Sequence, residues 1–144
     1  MNKQPLIIVA DADAIVAQAI ATDSNHQLTL SLAQKLADEG AYLLFPTTAI
    51  AEAITTLQRK FSDPKLAAAT LELLTDASIF IENVDQTVVQ EAKKLFDPKA
   101  SKKNTLFDCI VATIAKKHSA DAIFSLDDWY RKLGFKLVSE LYTK

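Results

Sequence analysis

The sequence predicts an α/β fold, a three-layer sandwich in which a central, mainly parallel sheet is flanked by helices. Two observations lead there. Leu6-Ile7-Ile8-Val9-Ala10 is an unbroken apolar run of strand length, the pattern of a parallel strand covered on both faces. Further short apolar runs then alternate with helical patterns bounded by caps, prolines and glycines along the rest of the chain.

The first strand, Leu6 to Ala10, ends at Asp11, and an apolar-periodic helix follows through Ile20. A polar break from Thr22 to Asn25 precedes a second helix, which carries Leu28, Leu32, Leu36 and Ala37 at helical spacing and stops at Gly40. Ala41 to Phe45 is the second strand. Pro46, Thr47 and Thr48 supply start signals for a helix to about Lys60, with a threonine hydroxyl expected to cap the first free amides. Asp63-Pro64 restarts the chain as another helix. Ser78 to Ile81 reads as the third strand, and Asp85 caps a helix to about Phe96, broken by Asp97-Pro98. After the basic loop Lys99 to Lys103, Asn104 caps an apolar helix from Thr105 to about His118. A short strand Ala122 to Ser125, a helical turn Asp127 to Leu133 closed by Gly134, and a last strand Phe135 to Val138 complete the chain.

With 144 residues and 49% hydrophobic content, one domain spanning residues 1–144 with one substantial core is expected. A net charge of −2 argues against a protein that coats phosphate backbones without cutting them. It argues less against a metal-loaded nuclease, whose acidic pocket its cations neutralise. The single Cys109 allows no internal disulfide and reads as a small buried thiol. Five apolar residues after the N-terminus are too few for a signal-peptide core or a membrane span, so a cytoplasmic protein without membrane contact is expected.

Three segments contain acids isolated in uncharged, mostly apolar sequence. Between Lys3 and Asp23 the only charges are Asp11 and Asp13; between Glu39 and Arg59 the only one is Glu52; between Lys103 and Lys116 the only one is Asp108. A buried carboxylate is expensive unless it is paired, hydrogen-bonded or bound to metal. Asp11 and Asp127 follow strands, while Glu52 and Asp108 lie in the first or second turn of helices, so all four can converge at one sheet edge. Cations that accept carboxylate oxygens and water are hard ones, Mg²⁺ or Mn²⁺, and the His and Cys cluster that zinc favours is missing. Such a site activates water for attack on phosphorus.

Each acid has a structural alternative. Asp11 or Asp13 can cap the helix after the first strand, Glu52 can lie on a solvated helix face, and Asp127 or Asp128 can cap the turn Trp129 to Leu133. Asp108 has the least room for one, because its helix is apolar on nearly every side and Asn104 or Thr105 can fill the cap. His26 and His118 read as surface histidines. Lys99, Lys102, Lys103, Lys116 and Lys117 read first as a solvated basic face; Lys102 and Lys103, close to Asp108 in sequence, are also candidates for phosphate contact.

The order of these pieces resembles the PIN-domain family. They are Ile7-Ile8-Val9-Ala10-Asp11-Ala12-Asp13-Ala14-Ile15, Thr48-Ala49-Ile50-Ala51-Glu52-Ala53, Leu106-Phe107-Asp108-Cys109-Ile110-Val111-Ala112, and Ile123-Phe124-Ser125-Leu126-Asp127. The resemblance implies Mg²⁺ or Mn²⁺ in an acidic pocket formed by Asp11, Glu52, Asp108 and Asp127, with Ser125 as a nearby hydroxyl, and ribonuclease activity on single-stranded RNA. It also implies a VapC-like toxin of a toxin-antitoxin pair, a homodimer inhibited by a cognate antitoxin. Many members carry a further acid soon after the last motif aspartate; here Asp128 and then Trp129-Tyr130 approach that place. Two other readings compete. Asp11-Ala12-Asp13 also resembles the Asp-x-Asp motif of haloacid-dehalogenase-type phosphatases, which leaves Glu52 and Asp108 unexplained, and a catalytically degenerate PIN fold can serve as a protein-binding module.

Overall fold

A computed structural model describes residues 4–99 and 104–143. Its elements are β1 (Ile7–Ala10), α1 (Ala12–Ala19), α2 (His26–Asp38), β2 (Tyr42–Pro46), α3 (Thr47–Arg59), α4 (Pro64–Leu74), β3 (Phe80–Glu82), α5 (Gln86–Lys93), α6 (Leu106–Lys117), β4 (Ala122–Phe124), α7 (Trp129–Lys132) and α8 (Val138–Leu141). The four strands form one sheet in the order β3-β2-β1-β4, and every pairing between them is parallel. The predicted sandwich with a parallel core is what the chain adopts.

Alternate residues of β1 serve opposite layers, which is why that run is apolar throughout. Val9 packs with Val88, Ala92, Val111 and Ile114 of α5 and α6, while Ile8 packs with Leu32 and Leu36 of α2 and Val138 of α8. A third apolar cluster, including Ile15, Ile50, Leu57 and Leu74, joins α1, α3 and α4. Cys109 is a buried free thiol in the α6 layer.

Several boundaries have the causes the sequence suggests. Asp63 accepts a hydrogen bond from the Leu66 N–H (3.0 Å) and Asp85 one from the Val88 N–H (3.0 Å), each capping its helix. Gly40 and Gly134 end helical segments with φ of 68° and 94°, which L side chains rarely adopt.

Others differ. No side chain caps α3: Thr47 Oγ1 instead accepts from the Val84 N–H at 3.3 Å, tying the start of α3 to the chain after β3. The cap of α6 is Thr105, one residue later than Asn104. The expected last strand Phe135–Val138 shrinks to one parallel bridge between Ile123 and Leu137. Glu140 accepts the Leu137 N–H at 3.1 Å, and the chain turns there into α8. Among the described residues, no helix is long and apolar enough to cross a membrane.

Candidate active site

β1 leads on to β2 at one side, whereas β4 is laid down against its other side after β3, so the strand order reverses between β1 and β4. A crevice opens at the carboxyl ends of strands at such a reversal. Here the Ala10–Phe124 register and the hydrogen bond from the Asp11 N–H to the Phe124 carbonyl (3.0 Å) align the two strand ends. The residues that follow, Asp11 and Ser125, therefore meet.

A cavity of about 450 Å³ lies over this point. Asp11, Glu52, Asp108 and Asp127 all line it, together with Asp13 and Asp23. The structure thus brings the four sequence-predicted acids together and adds Asp13 to them. Asp11 is 3% exposed and Asp108 8%, whereas Glu52, Asp13 and Asp127 are half-buried.

The carboxylates are held by a small set of donors. Asp11 caps α1 through the Ala12 N–H (2.7 Å), so its structural alternative and its place in the cavity coexist. Its Oδ2 also accepts the Ser125 hydroxyl (3.1 Å) and the Tyr130 hydroxyl (2.8 Å). Asp13 Oδ2 accepts the Leu126 N–H (2.9 Å) and lies 3.0 Å from Ser125 Oγ, while its buried Oδ1 has no hydrogen-bond partner. Asp108 accepts the Thr105 N–H at 3.0 Å and stands 3.3 Å from the Tyr130 hydroxyl. Asp127 accepts the Trp129 N–H (2.9 Å) and the Asn104 side-chain amide (3.0 Å). Ser125 and Tyr130 each have one proton for two acids, so hydroxyls alone cannot satisfy the group.

Electrostatics records that shortage. Burial raises the Asp11 carboxyl above its ordinary value, against the hydrogen bonds from Tyr130, Ala12 and Ser125. Burial and the Asp11 charge push Asp13 up to about 7; burial and the charges of Asp11, Asp108 and Asp13 push Glu52 up to about 7. Asp108 rises to about 6, first through burial and then through the Asp11 charge, with the Thr105 amide opposing. A bound cation would offset the repulsion within such a cluster.

Among the described residues, no three Asp, Glu, His or Cys side chains stand as an assembled metal cage. The donor set still fits a hard divalent cation: every candidate ligand is a carboxylate oxygen, and Asp13 Oδ1 is a buried acceptor without a donor.

Other expectations are redrawn. Ser125 is 5% exposed and is not among the residues lining the cavity; its partners are Asp11, Asp13 and the Asp127 N–H. Lys102 and Lys103 lie outside the described residues. Lys116 and Lys117 end the helix that Asp108 begins, roughly 12–14 Å away along its axis at 1.5 Å per residue, and Lys117 pairs with Glu82 at 3.4 Å. Asp128 is exposed and paired with Arg131. His118 meets Glu82 at 3.0 Å, and His26 Nδ1 lies 2.9 Å from the Ala17 carbonyl; neither lines the acid cavity.

Two participants carried no sequence signal of their role. Asn104, read as a cap, holds Asp127. Tyr130, fully buried, is bridged to both Asp11 and Asp108. Tyr130→Phe keeps the packing and removes the shorter of the two hydroxyl donors to Asp11 Oδ2, leaving that buried oxygen only the Ser125 hydroxyl, which Asp13 also draws on. The metal-free variant is expected to lose about 1–3 kcal/mol of stability, and Mn²⁺ affinity is expected to fall roughly 10–100-fold. Thermal melts and calorimetric titration check both.

The sequence matches the PIN domain family over residues 8–136. No curated protein sequence matches the chain. Among solved structures, the fold is similar to VapC20 of Mycobacterium tuberculosis, described as a toxin that cleaves the sarcin-ricin loop. The TM-score is 0.77 at 16% identity, covering 89% of this chain and 95% of that one. It is also similar to a chain of VapBC2 from Rickettsia felis bound to a DNA fragment from their promoter, with TM-score 0.60 at 11% identity, covering 92% of this chain and 96% of that one. At these identities the two structures speak for the fold, and the family match over most of the chain carries the assignment: the chain belongs to the PIN-domain family.

Proposed function

We propose that the chain is a Mg²⁺- or Mn²⁺-dependent endoribonuclease that cuts single-stranded RNA, and that it is the toxin of a VapBC-type pair. The observation that carries this reading is the convergence of Asp11, Glu52, Asp108 and Asp127 on one cavity, with the carboxyls of Asp11, Glu52 and Asp108 raised above their ordinary values. In this reading those four acids hold the cation, with Asp13 supplying further negative charge beside them. When bound, the cation would neutralise the acids, polarise the phosphodiester and activate water. Tyr130, Ser125 and Asn104 fix the directions in which Asp11, Asp108, Asp13 and Asp127 present their oxygens. Lys102 and Lys103, which precede α6 in the sequence, remain the proposed phosphate contacts.

The toxin part of the reading rests on likeness to VapC20 and to VapBC2. It brings with it a cytoplasmic protein, a cognate antitoxin and a homodimer. Leu28, Leu30, Leu71 and Leu73 are exposed on α2 and α4, apolar surface of the kind that partners cover. The phosphatase alternative fails on family membership, and its Asp-x-Asp pair is accounted for by Asp11 and Asp13 facing the same cavity as Glu52 and Asp108.

Purified protein incubated with mixed single-stranded RNAs and Mn²⁺ is expected to cleave them, and excess EDTA is expected to stop cleavage. Cleavage that continues in EDTA contradicts the metal mechanism. Intact RNA in Mn²⁺ favours the binding-module reading instead.

A further inference from the structure

Among the described residues, the acid cavity has one apolar ring on its wall and one basic side chain, and the two are adjacent: Phe61 and Lys60 line it beside the acids. Glu52, Thr56 and Lys60 follow at intervals of four along α3 and its C-cap, so a single helix face runs from the acids to Lys60, roughly 12 Å at 1.5 Å per residue. The Lys60 ammonium lies 5.6 Å from the centre of the Phe61 ring and makes no ion pair with a described residue.

The turn that carries this pair is fixed by its backbone. Both the Lys60 and Phe61 N–H groups donate to the Thr56 carbonyl (2.9 and 3.3 Å), and the Asp63 N–H donates to the Leu57 carbonyl (3.0 Å) above a fully buried Leu57 side chain. Ser62 sits between them with φ 51°, in the left-handed region that serine rarely adopts. Phe61 stays 37% exposed and is absent from the apolar clusters of the core. An isolated exposed phenylalanine needs no explanation. One held at the wall of a cavity lined by acids, next to an ammonium with no ion pair among the described residues, has the parts of a nucleotide subsite.

We infer that Phe61 and Lys60 form a subsite for single-stranded RNA, in which a base flanking the cleaved bond stacks on the face of the Phe61 ring opposite the Lys60 ammonium, or displaces that ammonium from the ring, and the ammonium meets the adjoining phosphate. This rests on the ribonuclease reading of the acid cavity and extends it to how the strand is held. An aromatic face accepts any base, so the subsite favours unpaired over duplex RNA without reading sequence. A preformed turn lets the ring do this with little ordering on binding. Lys60 also offsets part of the negative field that otherwise repels the strand from the cavity.

The test is binding of a fluorescein-labelled, cleavage-resistant 2′-O-methyl oligonucleotide in Mg²⁺, read by anisotropy, alongside cleavage kinetics on the matching RNA. Phe61→Ala is expected to weaken binding roughly 5- to 100-fold, the range of one lost base stack, and to raise KM more than it lowers kcat. Phe61→Leu is expected to lose binding nearly as much, and Phe61→Trp to retain it. Lys60→Gln is expected to flatten the dependence of log affinity on log salt by about 0.7, one phosphate contact on a single strand. Circular dichroism melts identify any variant that fails to fold, and Phe61→Leu then decides alone.

Wild type that cleaves while Phe61→Ala and Phe61→Leu bind as it does overturns the subsite and leaves the nuclease standing. Phe61→Leu with full affinity overturns stacking. Loss of binding on Phe61→Ala in a protein that never cleaves supports the subsite and overturns the nuclease. A wild type that neither binds nor cleaves overturns both.

Discussion

Asp108→Asn is expected to melt at a higher temperature than the parent protein in EDTA and to lose RNA cleavage by about 100-fold or more, at or beyond the upper end of what disturbing a ligand's support does. The carboxylate is buried beside Asp11 and its charge is disfavoured in the folded state. Asparagine removes that charge, keeps an oxygen for the Thr105 N–H, and presents a polar group to the Tyr130 hydroxyl. If roughly 1 kcal/mol of repulsion is relieved, the melting temperature rises by roughly 3–5 °C for a chain of this size. The stabilisation that Mn²⁺ confers by binding only the folded state shrinks in the same variant. A purely structural carboxylate gives the opposite pattern: the metal-free variant loses about 1–3 kcal/mol and its response to Mn²⁺ is intact. Melting curves of the two proteins, with EDTA and with Mn²⁺, separate the cases.

The second large effect is an inverted pH dependence. Asp13 and Glu52 stand near 7 and Asp108 near 6 in the fold, against ordinary values of 3.8 for Asp and 4.5 for Glu. Between about pH 4 and pH 7 the folded protein therefore binds more protons than the unfolded chain, and its stability falls as pH rises through that window. The destabilisation is absent below the ordinary carboxylate range and complete above 7. Metal-free protein should accordingly melt higher at pH 5.5 than at pH 8. Saturating Mn²⁺ should cancel or reverse the slope, because the cation binds the deprotonated acids and displaces their protons. Differential scanning fluorimetry across that range, with EDTA and with Mn²⁺, measures it; metal-free protein that gains stability from pH 5.5 to pH 8 contradicts the crowded-acid account.

What the sequence disclosed followed from local physics. Asp11 was legible because it ends an apolar run, and Asp108 because nothing else in its segment is charged, so burial had to be compensated. Glu52 was legible for the same reason, and the fold brings it to the same cavity as the others. Tyr130 was not, since its partner Asp11 is 119 positions away and a tyrosine beside Trp129 in a short helical turn reads as ordinary packing. Asn104 was misread because caps and side-chain ligands draw on the same residue types, and only the folded geometry shows that its amide goes to Asp127. The last strand was lost to a competition invisible in the hydrophobic pattern: Glu140 reaches back to the Leu137 N–H, and a helical turn replaces further pairing. Phe61 gave no signal, because a phenylalanine beside lysine at a helix end is unremarkable until the cavity next to it is known.

The central claim, that these acids form one divalent-cation site, is tested most directly by calorimetric titration of Mn²⁺ into the purified protein at pH 7.5, with Asp11→Asn as the comparison. The account predicts saturable binding to the wild type, accompanied by proton release that changes the measured heat with the buffer's ionisation enthalpy, and a large loss of both in Asp11→Asn. Wild-type protein that takes up no Mn²⁺, or an Asp11→Asn variant that binds it as the wild type does, contradicts it.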